Sequence, residues 1–109
     1  MPRILKSLEI KQISTTDLIE FDYVVPARTV TTPSLVITNV GASNNKISLY
    51  INDGSDDFLI ATRSVPCGAQ TWRVAEMSDQ KLNAGFKIKI QASESSPINY
   101  FLSGSEITD

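Results

Sequence analysis

The residues best suited to hold a metal ion lie in one acidic segment, Asn52 to Asp57, with the sequence NDGSDD. Carboxylate and amide oxygens are good calcium ligands, but this segment lacks the alternating ligand positions and the closing Glu of an EF-hand loop. Its Asp-Gly pair is a strong hairpin signal, because Gly adopts a positive φ at no steric cost. We therefore interpret the segment as a solvated hairpin turn and predict no metal site and no cofactor.

Covalent and acid–base catalysis require residue types that this chain lacks. It contains no His and one Cys, Cys67, which has no CxxC partner. A Ser or Cys nucleophile is ordinarily activated by a neighbouring base such as His, and a single Cys cannot form an internal disulfide. We interpret Cys67 as a small apolar residue that is buried or half-exposed. We predict that the chain is not an enzyme and has no catalytic residues.

The charged and aromatic residues do not indicate a nucleic-acid site. The net charge of −2 argues against a nucleic-acid binder, which needs a basic surplus to neutralise phosphates. Lys87 and Lys89 share the polar face of one strand, and we interpret them as solvated charges that protect a sheet edge. Trp72 alternates with Val74 and is expected in the core or in an interface. Tyr50 lies on the polar face of its strand and is a candidate for an exposed contact.

The elements that position these residues are predicted to be β-strands. The chain contains twelve Ile, seven Val and nine Thr, and β-branched residues favour sheet over helix. Apolar and polar residues alternate from Ile19 onward, with turn residues at the intervals of about 8–12 residues that are typical of sandwiches and barrels. A helical turn at most is expected between 77 and 85. The predicted strands are 19–25, 29–39, 47–52, 58–65, 71–76, 86–93 and 98–107.

These strands predict a single all-β domain. Their short connections require antiparallel pairing, and no long helix is available to cover the apolar face of a sheet, so one sheet must pack on another. A length of 109 residues is typical of one domain. We predict an antiparallel β-sandwich, jelly-roll or immunoglobulin-like, with about seven to eight strands. Its body is residues 18–109, preceded by a separate segment at 1–17.

The segment at residues 1–17 precedes a predicted sandwich that is already complete, so its apolar residues are expected to be surplus to the core. Ile4, Leu5 and Leu8, with Ile13 as a further candidate, fit one face of a short helix. Ile4, Leu8 and Ile10 equally fit a strand. One hypothesis is an edge strand of the same domain. The other is an N-terminal arm that docks on a neighbouring subunit, since exchange of an identical element costs little. The segment lacks the features of a signal peptide, and no stretch reaches the roughly 20 apolar residues of a membrane span, so no membrane partner is expected.

Several predicted strands carry bulky apolar residues on both faces. One face of each must meet the core, and the other needs cover, because clustered exposed apolar residues usually mark interaction sites. We therefore predict a homo-oligomer, most readily a trimer. The candidate interface residues are Ile4, Leu5, Leu8, Ile10, Val36, Tyr50, Leu59 and Phe101.

Five short motifs follow one another along the chain: YVVPA at 23–27, LVITNVG at 35–41, KISLYIND at 46–53, LNAGFKI at 82–88 and SGSE at 103–106. Their order resembles that of small β-sandwich virion proteins of tailed bacteriophages, which occur as head decoration proteins and as head-, neck- or tail-attached accessory proteins. Phe86 stands where the pattern usually has Asp, the turn 66–68 replaces a plainer one, and residues 1–17 lie outside the resemblance.

The resemblance implies a non-enzymatic structural protein of the virion, made in the cytoplasm of the bacterial host. Its implied partners are further copies of itself and the major capsid or tail proteins of the particle. A decoration or cement protein on the capsid is the first expectation, and a tail, neck or fibre component is the alternative. A carbohydrate-binding or adhesion sandwich is the alternative from a different functional class.

Overall fold

The computed structural model describes residues 3–108, and its side chains from Lys6 onward. The predicted all-β sandwich is confirmed, and all seven predicted strands are present. The largest difference is in the strand predicted at 71–76, which ends at Arg73 in the structure. No helix within the described range is long and apolar enough to cross a membrane. The elements in chain order are β1 (Arg3–Ile13), β2 (Ile19–Val24), β3 (Thr29–Asn39), β4 (Asn45–Asn52), β5 (Asp57–Val65), β6 (Gln70–Arg73), α1 (Ala75–Ser78), β7 (Lys87–Ala92) and β8 (Ile98–Thr108).

The strand order distinguishes between the two predicted sandwich types. Sheet A has the order β1-β8-β3-β6 and sheet B the order β2-β7-β4-β5, and all neighbours are antiparallel. The pairs β1–β8, β2–β7, β3–β6 and β4–β5 are those of one long hairpin. Wrapping that hairpin adds the pairs β3–β8 and β4–β7. This is an eight-stranded jelly roll, and it differs from the immunoglobulin order, in which strands 1, 2, 5 and 4 share a sheet.

The core lies between the two sheets, because alternate residues of each strand point inward. Leu35 and Ile37 on β3 face Ile47 and Leu49 on β4, and all four are fully buried. Trp72 on β6 is also buried, as the sequence predicted. Since the inner faces are filled in this way, only the two outer faces and the sheet edges are available for contacts with other molecules.

The strand β1 is an edge strand of sheet A. It pairs with β8 from Arg3 opposite Ile107 to Ile13 opposite Ile98, with an irregularity at Leu8. The segment for which the sequence allowed either an edge strand or an arm therefore lies, in this structure, within the sheet of its own chain.

The side chains of β1 have different environments. Ile13 is buried in the core, and Leu8 packs against the core. The expectation that the apolar residues of this segment are surplus to the core is therefore wrong for Leu8. Ile10 is 63% exposed. The side chains of Ile4 and Leu5 lie outside the described residues.

A buried carboxylate, that of Glu106 on β8, is held by residues from two other strands. Its Oε1 is 2.7 Å from Lys6 Nζ of β1, and its Oε2 accepts a 2.5 Å hydrogen bond from the Tyr23 hydroxyl of β2. The Tyr23 hydroxyl oxygen also lies 2.7 Å from Thr31 Oγ1 on β3. Burial alone would raise the pKa of Glu106, but the hydrogen bonds from Lys6 and Tyr23 outweigh it and lower this pKa. Burial and the Glu106 hydrogen bond raise the pKa of Tyr23 to about 12.

Glu9 on β1 makes a second link between the sheets. Its Oε1 accepts a 2.7 Å hydrogen bond from the backbone N–H of Tyr23, and its Oε2 accepts a hydrogen bond from the Tyr100 hydroxyl of β8. Burial and the Glu9 hydrogen bond raise the pKa of Tyr100. The strand β1 is thus attached to sheet B through β2 as well as to sheet A through β8. Both attachments fix the position of Ile10, the next residue along β1.

Candidate interaction surface

An apolar row crosses the outer face of sheet A. Ile10 on β1 lies opposite Phe101 on β8, Phe101 lies opposite Val36 on β3, and Val36 lies opposite Arg73 on β6. Side chains of directly opposed residues share one face of a sheet and interact. Phe101 is 39% exposed at the centre of this row. Three of the predicted interface residues are therefore neighbours on one surface.

Uncharged polar rows flank the apolar row on both sides. On one side, Gln12 Nε2 donates a 2.8 Å hydrogen bond to Asn99 Oδ1, and the hydroxyl oxygens of Thr38 and Thr71 are 3.2 Å apart. These four residues occupy consecutive strands in one line. The row on the other side consists of Ser7, Ser103 and Ser34.

The three rows described on this outer face carry almost no charge. Arg73, at the sheet edge, is the one charged member of the three rows. Further along the sheet, Ile107 and Val30 lie opposite each other and both are exposed. Amides and hydroxyls lose much less free energy on dehydration than charged groups do. The outer face of sheet A can therefore be covered by another uncharged surface at a low desolvation cost.

The outer face of sheet B is charged. Lys87 Nζ is 2.9 Å from Glu20 Oε1, and Lys89 Nζ is 3.0 Å from Asp57 Oδ1. Both lysines lie on β7, an interior strand of the sheet. The prediction that they protect a sheet edge is therefore wrong. Lys87 pairs with a residue of the adjacent strand β2, and Lys89 pairs with the first residue of β5, which lies beyond β4. Covering this face would require dehydration of several ion pairs, which opposes association.

Two further predicted interface residues lie on this charged face. Tyr50 on β4 is opposite Lys89 on β7 and opposite Leu59 on β5. Tyr50 is partly buried and Leu59 is exposed. The eight predicted residues therefore do not form one surface. Ile10, Val36 and Phe101 are brought together, whereas Tyr50 and Leu59 lie on the opposite side of the sandwich.

Sequence reasoning missed the polar rows that surround the apolar row. A usable signal was present in the alternation, because every second residue of β3 from Val30 to Thr38 is uncharged, and so is every second residue of β8 from Asn99 to Ile107. These two series lie side by side because of the β3–β8 register. The alternation of residues along each strand does not predict that register.

The acidic segment is a turn that stabilises itself. Asp53 Oδ1 accepts hydrogen bonds of 3.0 Å from the Ser55 N–H and 2.9 Å from the Asp56 N–H, and these bonds lower the pKa of Asp53. Asp57 is engaged by Lys89. Within residues 3–108, no three acidic or Cys side chains are grouped so that they could hold a metal ion. The lack of tight calcium binding stays a prediction, to be checked by calorimetry.

Cys67 departs from its interpretation as a buried or half-exposed residue. It lies in the turn between β5 and β6 and is exposed. Its backbone N–H donates a 3.0 Å hydrogen bond to Asn44 Oδ1. The side chain is therefore not used to fill the core, and the hydrogen bond that fixes this turn is made by the backbone.

Comparisons with known proteins show the fold alone. No protein-family model matches the chain, and no curated protein matches it. A chain of the infectious bursal disease virus Gx strain structure is similar with a TM-score of 0.50 and 14% identity over 98% of this chain and 32% of that chain. A chain of the T13 particle of the same virus gives a TM-score of 0.50 and 12% identity over 98% of this chain and 31% of that chain.

A third solved structure is a xylanase. The Clostridium thermocellum xylanase 10B CBM22-1–GH10 modules, complexed with xylohexaose, match with a TM-score of 0.48 and 13% identity over 84% of this chain and 19% of that chain. The chain spans about a third of the length of the virus chains and about a fifth of the xylanase chain. The likeness to the two virus chains shows a fold shared with part of each of those longer chains.

Proposed function

We propose that this chain is a non-enzymatic structural protein of a tailed-bacteriophage virion, which packs against other subunits through the outer face of sheet A. The observation that carries the proposal is the contrast between the two outer faces. Sheet B presents ion pairs, whereas sheet A presents an apolar row between uncharged polar rows. One side of the domain is thus suited to burial and the other to solvent.

The composition of the sheet A face matches that of protein interfaces. The buried centres of such interfaces are depleted in charge and enriched in aromatic residues, and a polar rim surrounds them. Phe101 supplies the aromatic centre, and Ile10 and Val36 extend it across the sheet. Amide and hydroxyl groups of the flanking rows are available for hydrogen bonds at the rim. Phe101 is the residue expected to contribute most to binding, since such energy is concentrated in central anchors.

The partners follow from the same surface and from the resemblance. Self-association, most readily as a trimer, places copies of the sheet A face in contact, and a major capsid or tail protein is the further partner. The jelly-roll fold and its likeness to chains of a virus particle support a structural role. We expect decoration of the capsid, with a position in the tail, neck or fibre as the alternative.

A carbohydrate-binding or adhesion domain is the second candidate function. The observation that favours it is the line of amides and hydroxyls, from Gln12 and Asn99 to Thr38 and Thr71, beside the ring of Phe101. Flat aromatic and amide groups are the side chains that a glycan surface needs. Binding of a soluble oligosaccharide by the isolated protein would favour this second function.

Incorporation into particles tests the structural proposal. Phage lacking the gene should be complemented with wild-type protein, with Ile10→Asp, and with Val24→Asp as the matched control. Ile10 is 63% exposed on sheet A, and Val24 is 46% exposed on the outer side of sheet B. Mass spectrometry of purified particles should detect the wild type and the control but not Ile10→Asp. Absence of the wild-type chain from particles would contradict the proposal.

A further inference from the structure

A groove opens along one side of the sandwich, where β5 and β6 are the edge strands of their sheets. Its volume is about 700 Å³, and it is lined by residues 63–66, at and just after the end of β5, and by residues 70–73 of β6. The groove shares with the outer face of sheet A only two residues of the edge strand β6, Thr71 and Arg73.

Two arginines line this groove, Arg63 from sheet B and Arg73 from sheet A, and we call it the arginine groove. Arg63 on β5 lies opposite the fully buried Ile47, so it is on the core-facing side of sheet B, at the open edge of that sheet. Arg73 lies at the edge of sheet A. Neither guanidinium forms an ion pair with any carboxylate of the described side chains. Two unpaired cations therefore line one groove.

Protection of an edge strand explains only part of this arrangement. An inward-pointing charge on an edge strand prevents pairing with other strands, and Arg63 fits that role. It does not account for Arg73, which belongs to the other sheet and lines the same groove. Guanidinium groups bind carboxylates through parallel hydrogen bonds. The polar side chains of Gln70 and Thr71 line the groove beside them.

The same chain carries a segment of complementary charge at its acidic turn, residues 53–57. This turn forms the tip of the β4–β5 hairpin, and Asp53 and Asp56 are exposed there. The Asp56 carboxylate forms no hydrogen bond or ion pair within the described residues. Phe58, beside the turn, is 51% exposed. Arg63 is six positions further along the extended strand than Asp57, a distance of about 20 Å, so the turn does not reach the groove of its own chain.

We propose that the arginine groove of one copy binds the acidic turn of a second copy. The contact joins opposite ends of the β5 strand, so it is head-to-tail, and repetition of such a contact closes a ring if the rotation between subunits permits it. It involves a surface different from the sheet A face and goes beyond the proposed function. Because it is a contact between exposed charges, it weakens as salt is added.

Charge reversal tests the proposal in the full-length chain. All proteins carry Ile10→Asp, so that the sheet A face does not contribute, and light scattering with gel filtration is run at low salt, about 0.05 M. Asp56→Lys, and separately Arg63→Glu with Arg73→Glu, should each weaken association by at least about tenfold, because like charges then face each other. The chain that carries all three reversals should associate again. Lys81→Glu and Glu94→Lys, at exposed positions elsewhere, should associate like the parent.

Three results would overturn the proposal. One is a parent protein that stays monomeric at low salt, and another is association that the groove and turn reversals leave unchanged. The third is binding of inorganic phosphate by a monomer in which both arginines are required, which would make the groove an anion site. The sheet A proposal is tested separately, at high salt, where Ile10→Asp is expected to be monomeric. Failure of the groove proposal at low salt can therefore be distinguished from failure of the sheet A proposal.

Discussion

The phenol ring of Tyr100 stacks in parallel on the ring of Phe21, with centroids 4.1 Å apart and an angle of 7° between the planes. Phe21 is on β2 of sheet B and Tyr100 is on β8 of sheet A, so the stack joins the two sheets. The Tyr100 hydroxyl donates to Glu9 on the neighbouring edge strand. The Tyr100 side chain therefore contacts both Phe21 of the opposite sheet and Glu9 of β1, the strand that carries Ile10.

Substitutions of Tyr100 should separate the stack from the hydrogen bond. Tyr100→Phe keeps the ring but leaves the Glu9 oxygen without its donor, and we expect the free energy of unfolding to fall by about 1–2 kcal/mol. Tyr100→Ala also removes the ring and should lower it by about 3–5 kcal/mol. Urea unfolding followed by fluorescence measures both. Equal losses in the two variants would show that the stack contributes nothing.

The lowered pKa of Glu106 predicts a loss of stability in acid. A carboxylate whose folded-state pKa lies below its unfolded value stabilises the protein above the unfolded pKa, and this contribution disappears as the pH falls through the folded pKa. The free energy of unfolding should therefore decline below about pH 4.5, the ordinary Glu value. Glu106→Gln should be less stable at neutral pH and should decline less in acid. An unchanged acid profile in this variant would contradict the account.

The raised pKa of Tyr23 predicts a loss of stability in alkali. A phenol that is held neutral in the folded state stabilises the protein below its ordinary pKa of 10.0, and this contribution is lost as the pH rises toward about 12. Unfolding experiments at increasing pH should show this decline. Tyr23→Phe should decline less over the same range, although Tyr100, whose pKa is also raised, continues to contribute.

Deletion of residues 1–16 should prevent the domain from folding cooperatively. The deletion removes the strand that pairs with β8, and it removes the Glu9 and Lys6 partners of Tyr100 and Glu106. A buried carboxylate that loses its cationic partner is strongly destabilising. Thermal melting followed by circular dichroism measures the effect, with Ile10→Ser as a control at an exposed position of the same strand. A truncated chain that melts like the full chain would restore the arm hypothesis.

The strands could be predicted from the sequence because alternation is local, whereas the face that each strand presents to its neighbours depends on register. Tyr50 and Phe101 each stand out as apolar bulk on an outer face, yet nothing in the alternation assigns them to opposite sheets. Pro33 shows the same limit. The sequence allows an edge, a bulge or the start of a strand at this Pro. It lies inside β3 opposite Gly104 of β8 and beyond the end of the short strand β6, which pairs with Val36–Asn39, so the edge position applies, and only the strand pairing shows it.

The mass of the isolated protein tests the central claim, that the outer face of sheet A is the contact surface. Light scattering with gel filtration in about 0.5 M salt, which screens contacts between exposed charges, should give a multiple of the 12.0 kDa chain mass. Ile10→Asp should give a single chain mass, because a charge in the apolar row would have to be buried unpaired, and Val24→Asp should match the wild type. A wild-type monomer at tens of micromolar, or equal masses for the two variants, would contradict the account.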